Sequence, residues 1–276
     1  MAALSEAALP RAVTLLSRAV WYTLDHPGPV LLLGLLGSGP PAVLLLLFLR
    51  ESQESLLVPG ATVAAVRPLA FGLAAVWFAR FPARLALARW MAAARAGGPA
   101  SLPAALLFAL RETPTAVLYG SLSTLGWLGG ALLLFPFVWT FRASLAFHRF
   151  ASSDLTALGA WRDTARVPAS GLGFRLLGLA QLLGLWAFLV LWTSPSTALG
   201  LAEWLLRLDV SVWRAFFAWD SLAWLGAAGV LALVAVELLW SVAYGLLAAS
   251  WETLSQGSDL MARLQAFEAR AGEVFS

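Results

Sequence analysis

The stretch PGPVLLLGLLGSGPPAVLLLLFL, residues 27–49, decides the fold class. It carries no charge and matches the roughly 20 apolar residues with which a helix crosses the hydrocarbon core of a bilayer. Its centre, Gly37-Ser38-Gly39-Pro40-Pro41, lacks two backbone N–H donors and predicts a kink or break at mid-span. Similar stretches recur outward from it. Spans are expected at about 28–49, 58–80, 114–134, 137–151, 171–193 and 222–248. The second runs on through Arg80, Arg84, Arg89 and Arg95, as one long helix whose end leaves the membrane. The uncharged run from Thr113 to Phe141 is long for one span and short for two, and Gly129, Gly130 and Pro136 divide it. In lipid every backbone polar group must be bonded within the segment, so helices are the economical solution. The expected fold is all-α: a polytopic membrane domain over residues 1–276, with about six spans and amphipathic interfacial helices.

Composition agrees. Of 276 residues, 61% are hydrophobic and 12% charged, and mean hydropathy is +0.81. A soluble domain has roughly 45–50% apolar and about 25% charged residues. The balance excludes a soluble enzyme, a disordered tail and a nucleic-acid module. Cysteine is absent, which removes disulfides, thiolate metal sites and cysteine nucleophiles. All 18 basic residues are Arg. Lys, Ile and Asn are missing together, a pattern of GC-rich coding rather than of function. No cofactor or metal is expected.

The arginines set orientation, since positive residues concentrate in cytoplasmic loops. With the N-terminus cytoplasmic, Arg11, Arg18, Arg80, Arg84, Arg89, Arg95, Arg111, Arg149, Arg162, Arg166, Arg175, Arg263 and Arg270 fall inside. Only Arg50, Arg207 and Arg214 fall outside, with Arg67 and Arg142 within spans. Six spans with both termini cytoplasmic satisfy this asymmetry.

Between the spans lie amphipathic segments. Residues 8–25 place Leu9, Val13, Leu16, Val20 and Leu24 at helical spacing, with Arg11 and Arg18 among the polar positions. Residues 101–111 and 153–166 read as further short cytoplasmic helices. Residues 197–218, rich in Trp and Leu, read as an outer interfacial segment, and residues 252–276 as a cytoplasmic tail. Three times a short helix ends in polar residues and a Pro opens a span, at Pro27, Pro114 and Pro168, each followed by a helical hairpin. Three related hairpins and convergent use of Pro at helix starts both account for this. Small residues such as Gly126, Gly129 and Gly130 suit close helix packing.

Ionisable groups inside a membrane need a partner or a water-filled cavity. Glu237 lies deep in the sixth span and Arg142 in the fourth. Their pairing is expected, as a clasp between helices or as the lining of a polar cavity. As a clasp it predicts that Arg142→Leu reduces folded protein more than Arg84→Leu. Arg67 is expected to snorkel or to meet Glu51 or Glu54. His148 and Arg149 read as interfacial polar residues, and Arg80, Arg84, Arg89, Arg95, Arg162 and Arg166 as a cytoplasmic basic face. There is no HExxH, GxSxG or GxxxxGK[ST] pattern. No enzyme acting alone is expected.

Three stretches carry a family resemblance. They are Leu24-Asp25-His26-Pro27; Pro136 and Arg142 followed by Leu158-Gly159-Ala160-Trp161-Arg162 and Phe174-Arg175-Leu176-Leu177-Gly178; and Glu237 followed by Gln256-Gly257-Ser258-Asp259-Leu260. In these the chain resembles the bacterial membrane domain found in front of some glycerophosphodiester phosphodiesterases, and related stand-alone six-span proteins of unknown function. In such proteins a Pro commonly follows the Glu; here Leu238 does. The resemblance implies a fold and a bacterial inner-membrane location, without an activity. The expected function is a non-catalytic scaffold, anchor or complex subunit, contacting anionic lipid headgroups and a protein partner or a second copy. The alternative is a transporter or lipid-handling protein with a polar cavity around Arg142 and Glu237.

Overall fold

The computed structural model describes residues 10–57, 63–132, 137–165, 167, 170–207, 209–219 and 221–257. Among them are ten helices and no strand: α1 (Ala12–Asp25), α2 (Pro27–Leu57), α3 (Val63–Arg95), α4 (Leu102–Arg111), α5 (Thr113–Leu132), α6 (Phe137–Ser152), α7 (Ala157–Thr164), α8 (Ser170–Leu206), α9 (Ser211–Phe216) and α10 (Leu222–Gln256). Four contain stretches long and apolar enough to cross a membrane: Pro27–Ser52, Val66–Arg95, Gly171–Leu206 and Ala223–Leu254. The spans expected at 114–134 and 137–151 correspond to the shorter α5 and α6, and are not among those four.

Local chemistry sets the helix ends. Ser101, Thr156 and Ser221 accept hydrogen bonds from the backbone N–H groups of Ala104, Gly159 and Trp224, capping α4, α7 and α10. Gly257 ends α10 at φ 69°, a left-handed conformation that suits glycine.

Helices α2 and α8 run further than expected, and of the kink or break expected in the first span the break is absent. α2 runs through Pro40 and Pro41 as one helix. Gly37, one turn earlier, lies against α3, where an added Cβ would sit 3.4 Å from Ala83 Cβ and from the Arg80 carbonyl. Packing along α3 holds the turn that local propensity would break. Likewise α8 continues past Pro195 to Leu206, so the expected outer segment 197–218 is half helix extension and half the separate α9. Hydroxyls of Thr193, Ser196 and Thr197 bond back onto the Leu189 and Thr193 carbonyls around that proline. Of the tail expected at 252–276, residues up to Gln256 continue α10, and those from Ser258 lie outside the described residues.

The architecture is three times a short helix followed by a hairpin: α1 with α2–α3, α4 with α5–α6, and α7 with α8–α10, the last carrying α9 at its turn. The units close cyclically. Helix α4 packs on α3, α7 on α6, and α1 on α10. The returning helices α3, α6 and α10 pack against one another in the middle, while α2, α5 and α8 lie outside them. This favours the reading of three related hairpins. Pro27 and Pro114 open the first two; Pro168 lies outside the described residues.

The centre is built on close approaches. Gly120 of α5 faces the Phe81 ring, and at Gly245 of α10 an added Cβ would sit 2.9 Å from Met91 Cε and 3.5 Å from His148 Nδ1. At Gly120 a larger side chain would collide with the ring, and at Gly245 it would displace the end of the Met91 side chain. The side chains around Gly126, Gly129 and Gly130 lie outside the described residues.

Helix α1 divides the expected stripe: Leu16 packs on the protein, Val13, Val20 and Leu24 are exposed, and Leu9 lies outside the described residues. Its buried face is Ala12, Leu15 and Ala19, with Leu16 packed beside them. Val13 is 65% exposed, and Val20, Trp21 and Leu24 are exposed with it. At 100° per residue the helix has three sectors. One packs on the protein, one is apolar and exposed, and one carries Arg11, Thr14, Arg18 and Asp25.

Candidate functional site

Each returning helix carries a polar pair one turn apart: Arg80 and Arg84 on α3, Thr140 and Ser144 on α6, Glu237 and Ser241 on α10. Each outer helix adds a polar residue about three turns from its start, namely Ser38, Thr124 and Gln181. The repeated architecture gathers these residues into one region of the bundle.

Glu237 is the hub. Its Oε1 lies 3.0 Å from Arg80 Nη1 and 3.1 Å from Arg84 Nη1, and its Oε2 accepts a hydrogen bond from Ser38 Oγ at 3.1 Å. Arg80 Nη2 donates to Thr124 Oγ1 at 3.3 Å, and Arg84 Nη2 to Ser241 Oγ at 3.2 Å. Ser241 in turn donates to the Glu237 carbonyl. Ser123 and Ser144 bond to each other at 2.9 Å. The Arg80 guanidinium also stacks 3.7 Å above the Trp77 ring. Arg80 is only 8% exposed, and the Nε atoms of both arginines are buried without a hydrogen-bond partner among the described residues. Two guanidiniums that keep their protons thus share one carboxylate.

Beside this cluster lies a cleft of about 420 Å³ between the second and third hairpins. Arg80, Arg84, Glu237, Thr124 and Thr140 line its polar part, with Gln181 nearby on α8. The rest is apolar, with Leu177, Leu185 and Phe188 of α8 facing Leu233, Val236 and Trp240 of α10. Leu185 and Leu233 are also exposed, so the cleft opens onto the apolar outer surface of these two helices.

The expected pairing of Arg142 with Glu237 is corrected. Arg142 Nη2 instead donates to the Ala165 carbonyl at 3.2 Å, on the side of α6 towards the chain between α7 and α8. Thr140 and Ser144 take the face of α6 near the cleft. Sequence reasoning paired one Arg with one Glu by depth alone. The missed signal is the shared one-turn spacing of Arg80/Arg84 and Glu237/Ser241.

His148 is buried rather than interfacial. Its ring stacks on Tyr244 and lies over Gly245, because the small Gly245 lets α6 and α10 close together there. Arg149 is buried too. Its Nε donates to Asp163 Oδ2 at 2.9 Å and its Nη1 lies 3.1 Å from Glu252 Oε2, tying together α6, α7 and α10. The Trp251 indole N–H donates to the same Asp163 oxygen at 3.3 Å. The expected basic face is therefore largely internal. Arg80 and Arg84 belong to the cleft, Arg95 Nη1 donates to the Gly245 carbonyl at 2.6 Å, and Arg89 Nη1 donates to the Ala151 carbonyl at 3.0 Å. Arg162 is exposed, and Arg166 lies outside the described residues. Arg67 is exposed on α3; the Glu54 side chain lies outside the described residues.

No group of three or more His, Asp or Glu residues suited to a metal ion occurs among the described residues. No family model, curated protein or solved structure matches the chain.

Proposed function

We propose that this chain is a lipid-handling or transport protein that holds an amphiphile with an anionic head in the cleft between its second and third hairpins. The observation that carries this reading is the arginine pair with its single carboxylate at the polar part of an otherwise apolar cleft. A buried cation in an apolar setting is costly unless it meets an acceptor, which a bound anion supplies. The volume falls within the roughly 300–1,000 Å³ of small-molecule sites. A pure scaffold needs no such cavity.

Orientation and surroundings follow from the same reading. The arginine asymmetry favours a bacterial inner-membrane protein with a cytoplasmic N-terminus. The three sectors of α1 suit a helix at the headgroup level, with its apolar exposed side in the acyl region and Arg11 and Arg18 among anionic headgroups. The exposed Leu107 and Leu110 beside Arg111 on α4 suit the same depth.

The test is purification into nanodiscs formed from the host's own membrane, with mass spectrometry of the retained amphiphiles. Leu233→Trp adds bulk to the apolar part of the cleft and leaves Arg80, Arg84 and Glu237 themselves unchanged. An amphiphile enriched over bulk lipid in the wild type and lost in Leu233→Trp is the expected result. Bulk composition in both samples overturns the proposal.

A further inference from the structure

Charge balance distinguishes the cleft from the other buried ionic cluster of the molecule. Near the inner ends of α6 and α10, Arg149 meets Asp163 and Glu252, and Glu252 also lies within electrostatic reach of Arg95. Two arginines face two carboxylates there. At the cleft, Glu237 is the single carboxylate that Arg80 and Arg84 face among the described residues, and the further partners of this cluster, Ser38, Thr124 and Ser241, are neutral hydroxyls. One positive charge is left over, beside a cavity large enough for a ligand head.

We infer that the cleft selects amphiphiles whose head carries a single negative charge, either a phosphodiester or a carboxylate. This rests on the reading of the cleft as a ligand site. A monoanion completes the neutralisation of the arginine pair at the polar part of the cleft. A dianion overshoots by one charge. A zwitterionic head brings a second cation towards two guanidiniums, in a region of low dielectric where like charges repel strongly. Glu237 thereby sets the charge of the ligand, and the apolar walls from α8 and α10 take its chain.

The experiment uses the full chain in phosphatidylcholine nanodiscs doped equally with phosphatidylglycerol and phosphatidate, at a mildly alkaline pH where phosphatidate is a dianion. Native mass spectrometry reads bound lipid against bulk. A parallel arm replaces the two anionic lipids with oleate and separates a carboxylate ligand from a phosphodiester one. Several-fold enrichment of phosphatidylglycerol over phosphatidate and phosphatidylcholine in the first arm, or of oleate over phosphatidylcholine in the second, is expected. Enrichment of phosphatidate or phosphatidylcholine at or above the monoanions overturns the charge rule and leaves the cleft as a lipid site. Enrichment of no lipid overturns both. Glu237→Gln, with two charges left to meet, shifts the preference to phosphatidate; Arg84→Met, with none, abolishes the preference for anions. The wild-type ranking decides the question even where Glu237→Gln fails to fold.

Discussion

Arg80 on α3 and Glu237 on α10 meet at 3.0 Å, and Arg84 reaches the same carboxylate oxygen at 3.1 Å. Helices far apart in sequence are joined at the centre of the bundle by one acid between two bases. The arrangement is asymmetric in energy. Removing the acid strands two buried cations, whereas removing one base leaves a balanced pair.

That asymmetry gives the first prediction. Glu237→Leu costs about 3–5 kcal/mol, the range for breaking a buried ion pair. Arg84→Met leaves Arg80 with Glu237 and keeps stability near that of the wild type. Thermal unfolding of the purified variants in one detergent reads both. Equal losses would show that the arginines carry no surplus charge.

A second prediction concerns Arg142. Its hydrogen bond goes to the Ala165 carbonyl, so Arg142→Leu loses about 1 kcal/mol, the net worth of one such bond. The unfolding midpoint of Arg142→Leu should stay well above that of Glu237→Leu. A midpoint as low as that of Glu237→Leu would restore Arg142 to the central cluster.

The inner cluster predicts non-additivity. Asp163→Asn leaves Arg149 with Glu252, and Glu252→Gln leaves it with Asp163. The double variant strands a buried guanidinium, so its loss exceeds the sum of the single losses by about 1 kcal/mol or more. Hydrogen exchange across α7 should accelerate most in the double variant. Strictly additive effects would mean that solvent replaces the carboxylates.

Packing gives a fourth test. Gly120→Val drives a side chain into the Phe81 ring between α5 and α3, at a cost of about 1–3 kcal/mol. Gly178→Ala, inside α8 and with nothing within 4 Å of the added Cβ, leaves the unfolding midpoint at or above that of the wild type. Similar midpoints for the two variants would place α5 further from α3.

The sectors of α1 are testable because the chain has no cysteine. A thiol introduced as Val20→Cys should resist a water-soluble maleimide in vesicles, and one introduced as Arg18→Cys should react quickly. Both positions are exposed on the protein, so the difference reports the membrane around it. Equal rates would lift the helix off the bilayer.

Much of the helical plan was legible beforehand. Long uncharged runs and prolines at helix starts are local signals, and α2, α8 and α10 begin close to where they place them, though each runs further than expected. Pro40 and Pro41 suggest a kink or break by local propensity, yet the helix is continuous through them, as it is through Pro195 of α8. The stripe Val13, Val20 and Leu24 on α1 is apolar, and apolarity alone leaves open whether such a face packs on protein or on lipid. Hydrophobicity there does not separate inside from outside, and the smaller Ala12 and Ala19 take the buried side.

By itself, the sequence determined an all-helical chain with segments apolar enough for a bilayer, and the repeated pattern of a short helix followed by a hairpin. Both rest on interactions within a few turns of chain. The tertiary structure decided which charges meet. Glu237 had many arginines to choose from, and depth along a helix left several within range. The cyclic packing of α3, α6 and α10 fixed the rotation of each helix about its axis, turning Arg80 and Arg84 towards Glu237 and Arg142 towards Ala165. That rotation is set by side chains interlocking across helices, and it also leaves the cleft open between the second and third hairpins.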